Sequence, residues 1–224
     1  MEERYTRNMP ALSAEECAVL RTKHVCVVGC GGLGGYIIEL LARVGVGSIT
    51  VVDADVFDVT NLNRQLLSDE TVIGQSKAET AAHRIAKVNS SVKVTFERQL
   101  FTSHNSKTLL SDCDLAIDAL DNISSRKALA HACAIKDIYM IHGAISSWFG
   151  QISVVPPGSG IMDRIYPARI KSLPASGNLG FVATACASIQ TSEAVKLLCG
   201  RDSALFNRLL ILDMESLDFT IVDI

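Results

Sequence analysis

The sequence predicts an α/β fold: a doubly wound, Rossmann-like sheet that is mostly parallel and ends in antiparallel C-terminal strands. Three observations predict it. Short apolar runs rich in β-branched residues alternate with helical patterns, which is typical of parallel strands joined by helices. One such run, residues 25–28, leads into a glycine cluster that opens directly into a helical pattern. The last two apolar runs, residues 209–213 and 219–222, are predicted to form an antiparallel pair.

The helices have local signals at their ends or along one face. Ser13 and Glu16 form a capping-box pattern that opens a short helix to about residue 21. The helix that begins at Gly34 is predicted to end near Gly45 and Gly47, because glycine is a good C-cap residue. Alanine and other apolar residues repeat every three or four positions over residues 76–88. The other predicted helices cover residues 105–110, 124–136 and 181–198.

The strands read as short buried runs. Residues 48–53 are the clearest, since a continuous β-branched run suits a parallel sheet covered on both faces. The other internal strands are predicted over residues 92–96, 114–120, 138–142 and 151–155. With an irregular N-terminal arm over residues 1–12, this pattern predicts a single domain spanning residues 1–224.

Residues 156–180 break the alternation. They contain all but one of the five prolines and show no clean period. We expect a mobile, crossover-type loop there, and its length suggests a function.

Composition and charge narrow the class of protein. A net charge of −3 and a pI near 5.9 make a general nucleic-acid surface unlikely. The seven cysteines form no C-x-x-C pair and no secretory signal is visible, which indicates a cytoplasmic protein. The longest apolar stretch, residues 179–199, is interrupted by Gln190, Glu193 and Lys196, so it indicates a core or interface helix and no membrane span.

The glycine cluster predicts a nucleotide site. Gly29, Gly31 and Gly34 fit the pattern G-x-G-x-x-G, in which missing side chains let the backbone approach phosphate at a helix N-terminus. Asp53 follows Gly34 by 19 residues, where a carboxylate can accept hydrogen bonds from ribose hydroxyls. Both NAD and ATP carry a ribose, so these residues leave the nucleotide open. A ligand-free turn, or a helix cap at Asp53, is the alternative.

The segment after Asp53 favours ATP. Asn61, Arg64 and Lys77 form a polar and cationic set, and such groups at phosphates are the device that phosphoryl and nucleotidyl transfer require. Lys77 would lie in the first turn of its helix, where the helix dipole disfavours a cation. The alternatives are a solvated surface lysine and, for Arg64, a surface ion pair.

Two acidic residues end the fourth predicted strand. Asp118 and Asp121 lie at the carboxyl edge of the sheet, where open α/β sheets bind ligands. Asp121 can hold Mg²⁺, which prefers oxygen ligands. The alternative is that Asp121 caps the helix that begins near Ser124.

Five motifs together carry a family resemblance. They are Gly29-Cys-Gly-Gly-Leu-Gly34, Asp53-Ala-Asp55, Asn61-Leu-Asn-Arg64-Gln65, Gly74-Gln-Ser-Lys77 and Asp118-Ala-Leu-Asp121-Asn122. In this order and spacing the chain resembles the family of ThiF, MoeB and HesA, the bacterial relatives of ubiquitin-activating enzymes, and it is most like ThiF. The opening Arg4-Tyr-Thr-Arg7 is similar to that family's Arg-Tyr-Ser-Arg. The resemblance covers nearly the whole chain.

The resemblance implies an E1-like, ATP-dependent adenylyltransferase. Its substrate would be the C-terminal Gly-Gly carboxylate of a small ubiquitin-like sulfur carrier, activated as an acyl-adenylate for thiamine, molybdopterin or a related pathway. Asp121 would bind Mg²⁺, and Arg7 would reach the γ-phosphate in the neighbouring subunit of a homodimer. Arg7, Arg64, Lys77 and Asp121 would be catalytic. The implied nucleotide contacts are Gly29, Gly31, Gly32, Gly34, Asp53, Asp55, Asn61, Arg64, Gln65, Lys77 and Asn122.

The chain departs from the family pattern in its cysteines. Two C-x-x-C pairs for structural zinc are absent from this sequence, so no zinc is expected. Many relatives have a cysteine shortly before the glycine that matches Gly177, whereas this chain has Ser172-Leu-Pro-Ala-Ser there. Cys186 lies in an apolar helix and is expected in the core. We therefore expect the reaction to stop at the acyl-adenylate and a separate protein to donate sulfur.

Two other functions remain open from the sequence. One is ATP-dependent activation of a small molecule or a tRNA base, as in the tRNA-dehydratase relatives. The other is a nicotinamide-binding oxidoreductase or a nucleotide-sensing module.

Overall fold

The computed structural model describes residues 2–170 and 177–224. Its eight strands form one sheet in the order β3-β2-β1-β4-β5-β6-β7-β8. Pairing is parallel from β3 to β5 and antiparallel from β5 to β8. The strands are β1 His24–Val28, β2 Ser48–Val52, β3 Lys93–Glu97, β4 Leu115–Asp118, β5 Tyr139–Ser146, β6 Phe149–Val155, β7 Arg208–Asp213 and β8 Asp218–Asp223.

Seven α-helices connect or follow these strands in the described part of the chain. They are α1 Ala14–Leu20, α2 Gly34–Val44, α3 Lys77–Val88, α4 Ser106–Leu109, α5 Ile123–Lys136, α6 Ile161–Ile165 and α7 Gly180–Leu198. Two 3₁₀ helices, Glu3–Asn8 and Val59–Asn61, are added to these. The predicted fold class is confirmed, including the antiparallel pair at the end of the chain.

The hydrophobic core has two parts, one on each face of the sheet. Helices α2, α3 and α7 cover one face, where Ile37 and Ile85 are fully buried. Helix α5 covers the other face, where Leu129 and Met140 are fully buried. This two-sided cover explains why the central strands are continuous apolar runs.

The strand register places the carboxyl ends of β1, β2 and β4 at one level. Val28 of β1 is opposite both Val52 of β2 and Asp118 of β4, and Asp118 is opposite His142 of β5. The strand order reverses between β1 and β4, and at that point open sheets bind ligands outside their carboxyl ends.

The structure differs most from the predicted elements at β5, β6 and α6. Strands β5 and β6 are longer than predicted, because they pair with each other as an antiparallel hairpin from Met140 opposite Val155 to Ser146 opposite Phe149. Within residues 156–180, where no element was predicted, five residues form α6. Residues 171–176 of the predicted mobile, crossover-type loop, which include the stretch without the loop cysteine, lie outside the described residues.

Candidate active site

The glycine turn, residues 29–34, joins β1 to α2 at the point of strand-order reversal. Gly29 has a φ of +100°, and a Cβ there would overlap the carbonyl group of Ala119. A Cβ on Gly34 would overlap the carbonyl oxygen of Gly29. Both positions therefore exclude a side chain, and the turn lies directly against the residues that follow β4.

The first turn of α2 points at this glycine turn. Its N-cap residue, Leu33, supplies no side-chain hydrogen bond to the helix. Backbone N–H groups at a helix start carry partial positive charge, so this end of α2 is suited to an anion.

Arg64 and Gln65 lie over the middle of the glycine turn. A Cβ on Gly31 would lie 3.6 Å from Nε2 of Gln65, and one on Gly32 would lie 3.8 Å from Cγ of Arg64. Arg64 is half-buried, and its Nη1 donates to the carbonyl oxygen of Thr60 at 2.8 Å. Gln65 is buried, and its Oε1 has no hydrogen-bond partner among the described residues. The stem of Arg64 and the amide group of Gln65 thus lie over the middle of the turn, and the Arg64 guanidinium is held by Thr60 and Asn63.

Asp53 connects the end of β2 to the glycine turn. Its Oδ2 accepts from the backbone N–H of Cys30 at 2.6 Å, and its Oδ1 accepts from that of Asp55 at 2.8 Å. Burial raises the pKa of this carboxyl, while the two backbone hydrogen bonds oppose the rise. Each oxygen keeps a further acceptor position, because a carboxylate oxygen has two lone pairs.

Lys77 is buried, so the alternative of a solvated surface lysine is wrong. It is 7% exposed, and its Nζ donates to Oδ2 of Asp55 at 3.1 Å. The backbone N–H of Lys77 also donates to the carbonyl oxygen of Asp55 at 3.0 Å. The electrostatic influence of Lys77 reaches Asp53 and Cys30 as well. The Lys77 side chain is thus largely covered by protein, and its ammonium group pairs with the carboxylate of Asp55.

Asn61 shapes the segment that carries Arg64. It is buried, and its Oδ1 accepts from the backbone N–H of Asp58, completing a capping box on the short 3₁₀ helix. Its carbonyl oxygen accepts from the N–H groups of Arg64 and Gln65. The side-chain oxygen of Asn61 is therefore occupied within the protein.

Asp121 is exposed just beyond the end of β4. The N-cap of α5 is its neighbour Asn122, whose Oδ1 accepts from the N–H of Ser125 at 2.9 Å. The alternative in which Asp121 caps the helix is therefore wrong. Among the described residues, the Asp121 carboxylate accepts from Nδ2 of Asn122 at 3.2 Å, so the exposed carboxylate is open to a ligand. Within residues 2–170 and 177–224, no three His, Cys, Asp or Glu side chains form a group that could hold a metal ion.

Arg7 is not brought together with the other predicted residues. It lies on the 3₁₀ helix Glu3–Asn8 and is exposed. Nδ2 of Asn8 donates to the carbonyl oxygen of Val44, the last residue of α2, and Tyr5 packs against Gly45. The nucleotide edge is at the other end of α2, and 11 helical residues rise about 16 Å.

A buried polar group beneath the site was missed by sequence reasoning. Asp118, predicted only as an acid at the sheet edge, has no exposed surface, and its Oδ2 accepts from Nδ1 of His142 at 2.6 Å. Arg126 and Tyr166 lie beside them. His142 and Tyr166 lie 24 and 48 positions beyond Asp118, so no local pattern could have joined them to Asp118 and Arg126.

Cys186 lies in the core, as expected. It is fully buried in α7, and its Sγ donates to the carbonyl oxygens of Ala144 and Gln151. Burial raises the pKa of its thiol to about 12, which leaves almost no thiolate at neutral pH.

No helix within the described ranges has the length and apolar character needed to cross a membrane.

A model of the ThiF family matches residues 5–224. The chain belongs to the ThiF family. It is 33% identical over 227 residues to the SAMP-activating enzyme E1 of Haloferax volcanii, a match that covers 98% of this chain and 84% of the relative. It is 32% identical over 233 residues to the probable adenylyltransferase/sulfurtransferase MoeZ of Mycobacterium tuberculosis, covering 99% of this chain and 59% of MoeZ. The chain thus spans somewhat more than half of MoeZ.

Solved structures share this ThiF-family fold. MccB of E. coli, determined with ATP, superposes with a TM-score of 0.80 at 21% identity and covers all of this chain and 71% of its own. The E. coli tRNA N6-threonylcarbamoyladenosine dehydratase TcdA, determined with ATP, has a TM-score of 0.76 at 23% identity and covers 88% of this chain and 94% of its own. At these identities the likeness supports the fold. The family resemblance inferred from the motifs is confirmed, and the relatives' names support the prediction of an adenylyltransferase.

Proposed function

We propose that this ThiF-family protein is an ATP-dependent adenylyltransferase that activates the C-terminal Gly-Gly carboxylate of a ubiquitin-like sulfur carrier. One observation carries the proposal: the residues after β4, which lead to Asp121, pack on a glycine turn that is also overlain by Arg64 and Gln65. A phosphate cradle, a cation and an open carboxylate therefore share one edge of the sheet.

The proposed reaction is a displacement at the α-phosphorus of ATP. A carboxylate oxygen of the carrier forms a bond to that phosphorus, and the bond from phosphorus to the oxygen bridging to the β-phosphate breaks. The products are the acyl-adenylate and pyrophosphate. Negative charge grows on the leaving pyrophosphate, so cations held near it stabilise the transition state. Arg64 and Lys77 have this role in the proposal.

The nucleotide is held by the groups around the turn. The start of α2 and the residues Gly29, Gly31, Gly32 and Gly34 would contact phosphate through backbone N–H groups. The free acceptor positions on Asp53 would receive ribose hydroxyls. Further proposed contacts are Asp55, Asn61, Gln65 and Asn122.

The residues fit Mg²⁺ bound together with the nucleotide. This ion commonly takes one or two protein carboxylates and completes its shell with phosphate oxygens and water, so the single open carboxylate of Asp121 is sufficient. When bound, the ion would neutralise phosphate charge. The role of the protein is to present Asp121 in a fixed direction. A site without structural zinc stays a prediction.

A homodimer with shared sites is part of the proposal. Arg7 lies at the far end of α2 from its own glycine turn, which supports action at a neighbouring subunit. In mixed dimers of Arg7→Ala and Asp121→Asn chains, one of the two sites would contain both an intact Arg7 and an intact Asp121. We expect mixing to restore part of the activity that each variant lacks alone. Activity that stays at the sum of the two variants would refute the shared site.

Two observations support the carrier as substrate and a reducing cytoplasm as the location. The relatives are named a SAMP-activating E1 and an adenylyltransferase/sulfurtransferase. All seven cysteines have free thiols, and Cys186 is inert by burial. We therefore propose that a separate protein donates sulfur, in thiamine, molybdopterin or related synthesis.

Pyrophosphate exchange tests the proposal directly. Purified protein, ATP and Mg²⁺ should incorporate labelled pyrophosphate into ATP only when a Gly-Gly-ended carrier is present, and a carrier shortened by its last two glycines is the control. Absence of exchange with every such carrier would refute the carrier assignment. Calorimetry with ATP and with NAD distinguishes the oxidoreductase alternative, and a tight, salt-sensitive tRNA complex would instead favour a tRNA substrate.

A further inference from the structure

A buried polar cluster lies directly beneath the turn that carries Asp121. The cluster, called here the Asp118 cluster, consists of Asp118, Arg126, His142, Gln151 and Tyr166. Asp118 and His142 have no exposed surface, and Arg126 and Tyr166 are each 3% exposed. Such burial of charged groups is costly, so their arrangement requires a reason beyond packing.

The cluster holds the backbone of Leu120, the residue before Asp121, on both sides. Oδ1 of Asp118 accepts from the backbone N–H of Leu120 at 3.0 Å. Nη2 of Arg126 donates to the carbonyl oxygen of the same Leu120 at 2.7 Å. Asp121 is the next residue, so these two bonds fix the backbone from which its side chain leaves the sheet edge.

Arg126 does not make the strongest possible ion pair with Asp118. Its Nε is 3.8 Å from Oδ2 of Asp118, is buried, and has no hydrogen-bond partner among the described residues. A guanidinium normally meets a carboxylate with two parallel hydrogen bonds. Here the two Nη groups are instead directed to Leu120 and to the hydroxyl of Tyr166 at 2.8 Å. The geometry favours the hold on Leu120 over the ion pair.

The hydroxyl of Tyr166 fixes the other side of the guanidinium. It also accepts from Nε2 of Gln151 at 2.7 Å and lies 3.3 Å from Nε2 of His142. Burial lowers the pKa of His142, so the imidazole is neutral, donates from Nδ1 to Asp118 and accepts at Nε2. Tyr166 follows α6 in the connection between β6 and α7, which ties that connection to the Asp121 turn.

We propose that Arg126 and Tyr166 are positioning residues for the metal-bound nucleotide, because they hold the Leu120–Asp121 peptide in the direction that lets Asp121 reach Mg²⁺. The inference rests on the proposed function. Arg126 and Tyr166 would touch neither nucleotide nor metal. Through Tyr166, the position of α6 would influence the direction of the metal ligand Asp121.

Calorimetric titration of the full-length chain with ATP, with and without Mg²⁺, tests this inference without any carrier. Tyr166→Phe removes only the hydroxyl. We expect the gain in ATP affinity on adding Mg²⁺ to fall about 10-fold in this variant, as is usual when the support of a metal ligand is lost. Metal-free ATP affinity should stay within about 2-fold of wild type, because the glycine turn is untouched. Arg126→Lys, which keeps the charge but not the fork, should show a loss at least as large.

The matched control is Ser153→Ala. Ser153 lies opposite His142 in the neighbouring strand, and its buried hydroxyl has no hydrogen-bond partner in the described part of the chain. This variant also removes a buried hydroxyl, and it should keep the wild-type response to Mg²⁺.

The outcomes separate cleanly. An unchanged response to Mg²⁺ in folded Tyr166→Phe overturns the inference, as does an equal loss with and without the metal, which would indicate a purely structural role. If Tyr166→Phe does not fold, Arg126→Lys decides by the same criteria, and failure of both to fold also shows a structural role. A wild-type protein that binds no ATP overturns the proposed function and this inference together. Binding of ATP with Mg²⁺ but no pyrophosphate exchange refutes only the carrier.

Discussion

Replacing Lys77 by methionine separates its proposed phosphate contact from the packing of its stem. Lys77 is 7% exposed, so truncation to alanine would leave a cavity and cost about 2–3 kcal/mol in stability. Methionine keeps a flexible stem of similar length. The interaction lost in the free protein is the 3.1 Å ion pair with Asp55, whose side chain is 69% exposed. A pair so open to solvent contributes about 1 kcal/mol or less.

The expected loss of activity is much larger than the loss of stability. Removing one preorganised donor to transition-state charge costs on the order of 100-fold in rate, or roughly 3 kcal/mol. We therefore expect the free energy of unfolding of Lys77→Met to lie within about 1 kcal/mol of the wild-type value. Its carrier-dependent pyrophosphate exchange should fall about 100-fold.

Urea unfolding and the exchange assay, run on the same preparations, check both numbers. The control is Lys87→Met, an exposed lysine in the last turn of the same helix, α3. Exchange at the wild-type rate in Lys77→Met would refute the assignment of Lys77 to phosphate. A stability loss above about 3 kcal/mol with normal exchange per folded molecule would instead make Lys77 a structural residue.

Three further predictions concern the turn, the buried histidine and the core cysteine. Gly34→Ala should lower the free energy of unfolding by about 3 kcal/mol and abolish ATP binding, because the new Cβ would overlap the backbone of Gly29. The control for urea unfolding is Gly177→Ala, whose new Cβ would have no heavy atom within 4 Å. Burial lowers the pKa of His142 below its usual 6.5, so below pH 6.5 the unfolded chain takes up a proton that the folded chain does not. The free energy of unfolding should therefore decrease as the pH falls below 6.5, by up to about 1.4 kcal/mol per pH unit. Denaturant titrations should show that this slope is lost in His142→Gln and kept in the control His83→Gln, in which an exposed histidine is replaced. Cys186→Ala should retain exchange, and complete inactivity of this folded variant would mean that the buried thiol takes part in chemistry.

The sequence predicted the parts of the fold that depend on local pattern. Strand β1, the glycine turn and α2 follow from β-branched residues, glycine and helical spacing within about 20 neighbouring positions. Helix α6 was missed because it has five residues, lies among prolines and glycines, and has no side-chain cap. The alternative prediction placed the N-cap of α5 one residue early, at Asp121 and not at Asn122, since Asp and Asn are both good N-caps.

The motifs placed Lys77, Asp55 and Asp121 near one edge of the sheet, and their roles stay predictions. The structure adds the ion pair between Lys77 and Asp55, which the motifs did not predict. The burial of Lys77 could not be predicted, because it depends on where the β2–α3 segment folds back. The Asp118 cluster could not be predicted either, since Asp118 and Tyr166 are 48 positions apart and belong to different layers.

Under the proposed phosphate role of Lys77, its pairing with Asp55 has a consequence for how anions would enter and leave this site. A lysine that already holds a carboxylate binds a phosphate by exchange of counter-ions and not by filling an empty position. The displaced Asp55 side chain is largely in water already, so its release is inexpensive, and its return assists departure of a charged product. The protein thus carries its own reversible competitor for the ligand, two residues along the chain from Asp53, whose carboxylate is fixed to the turn.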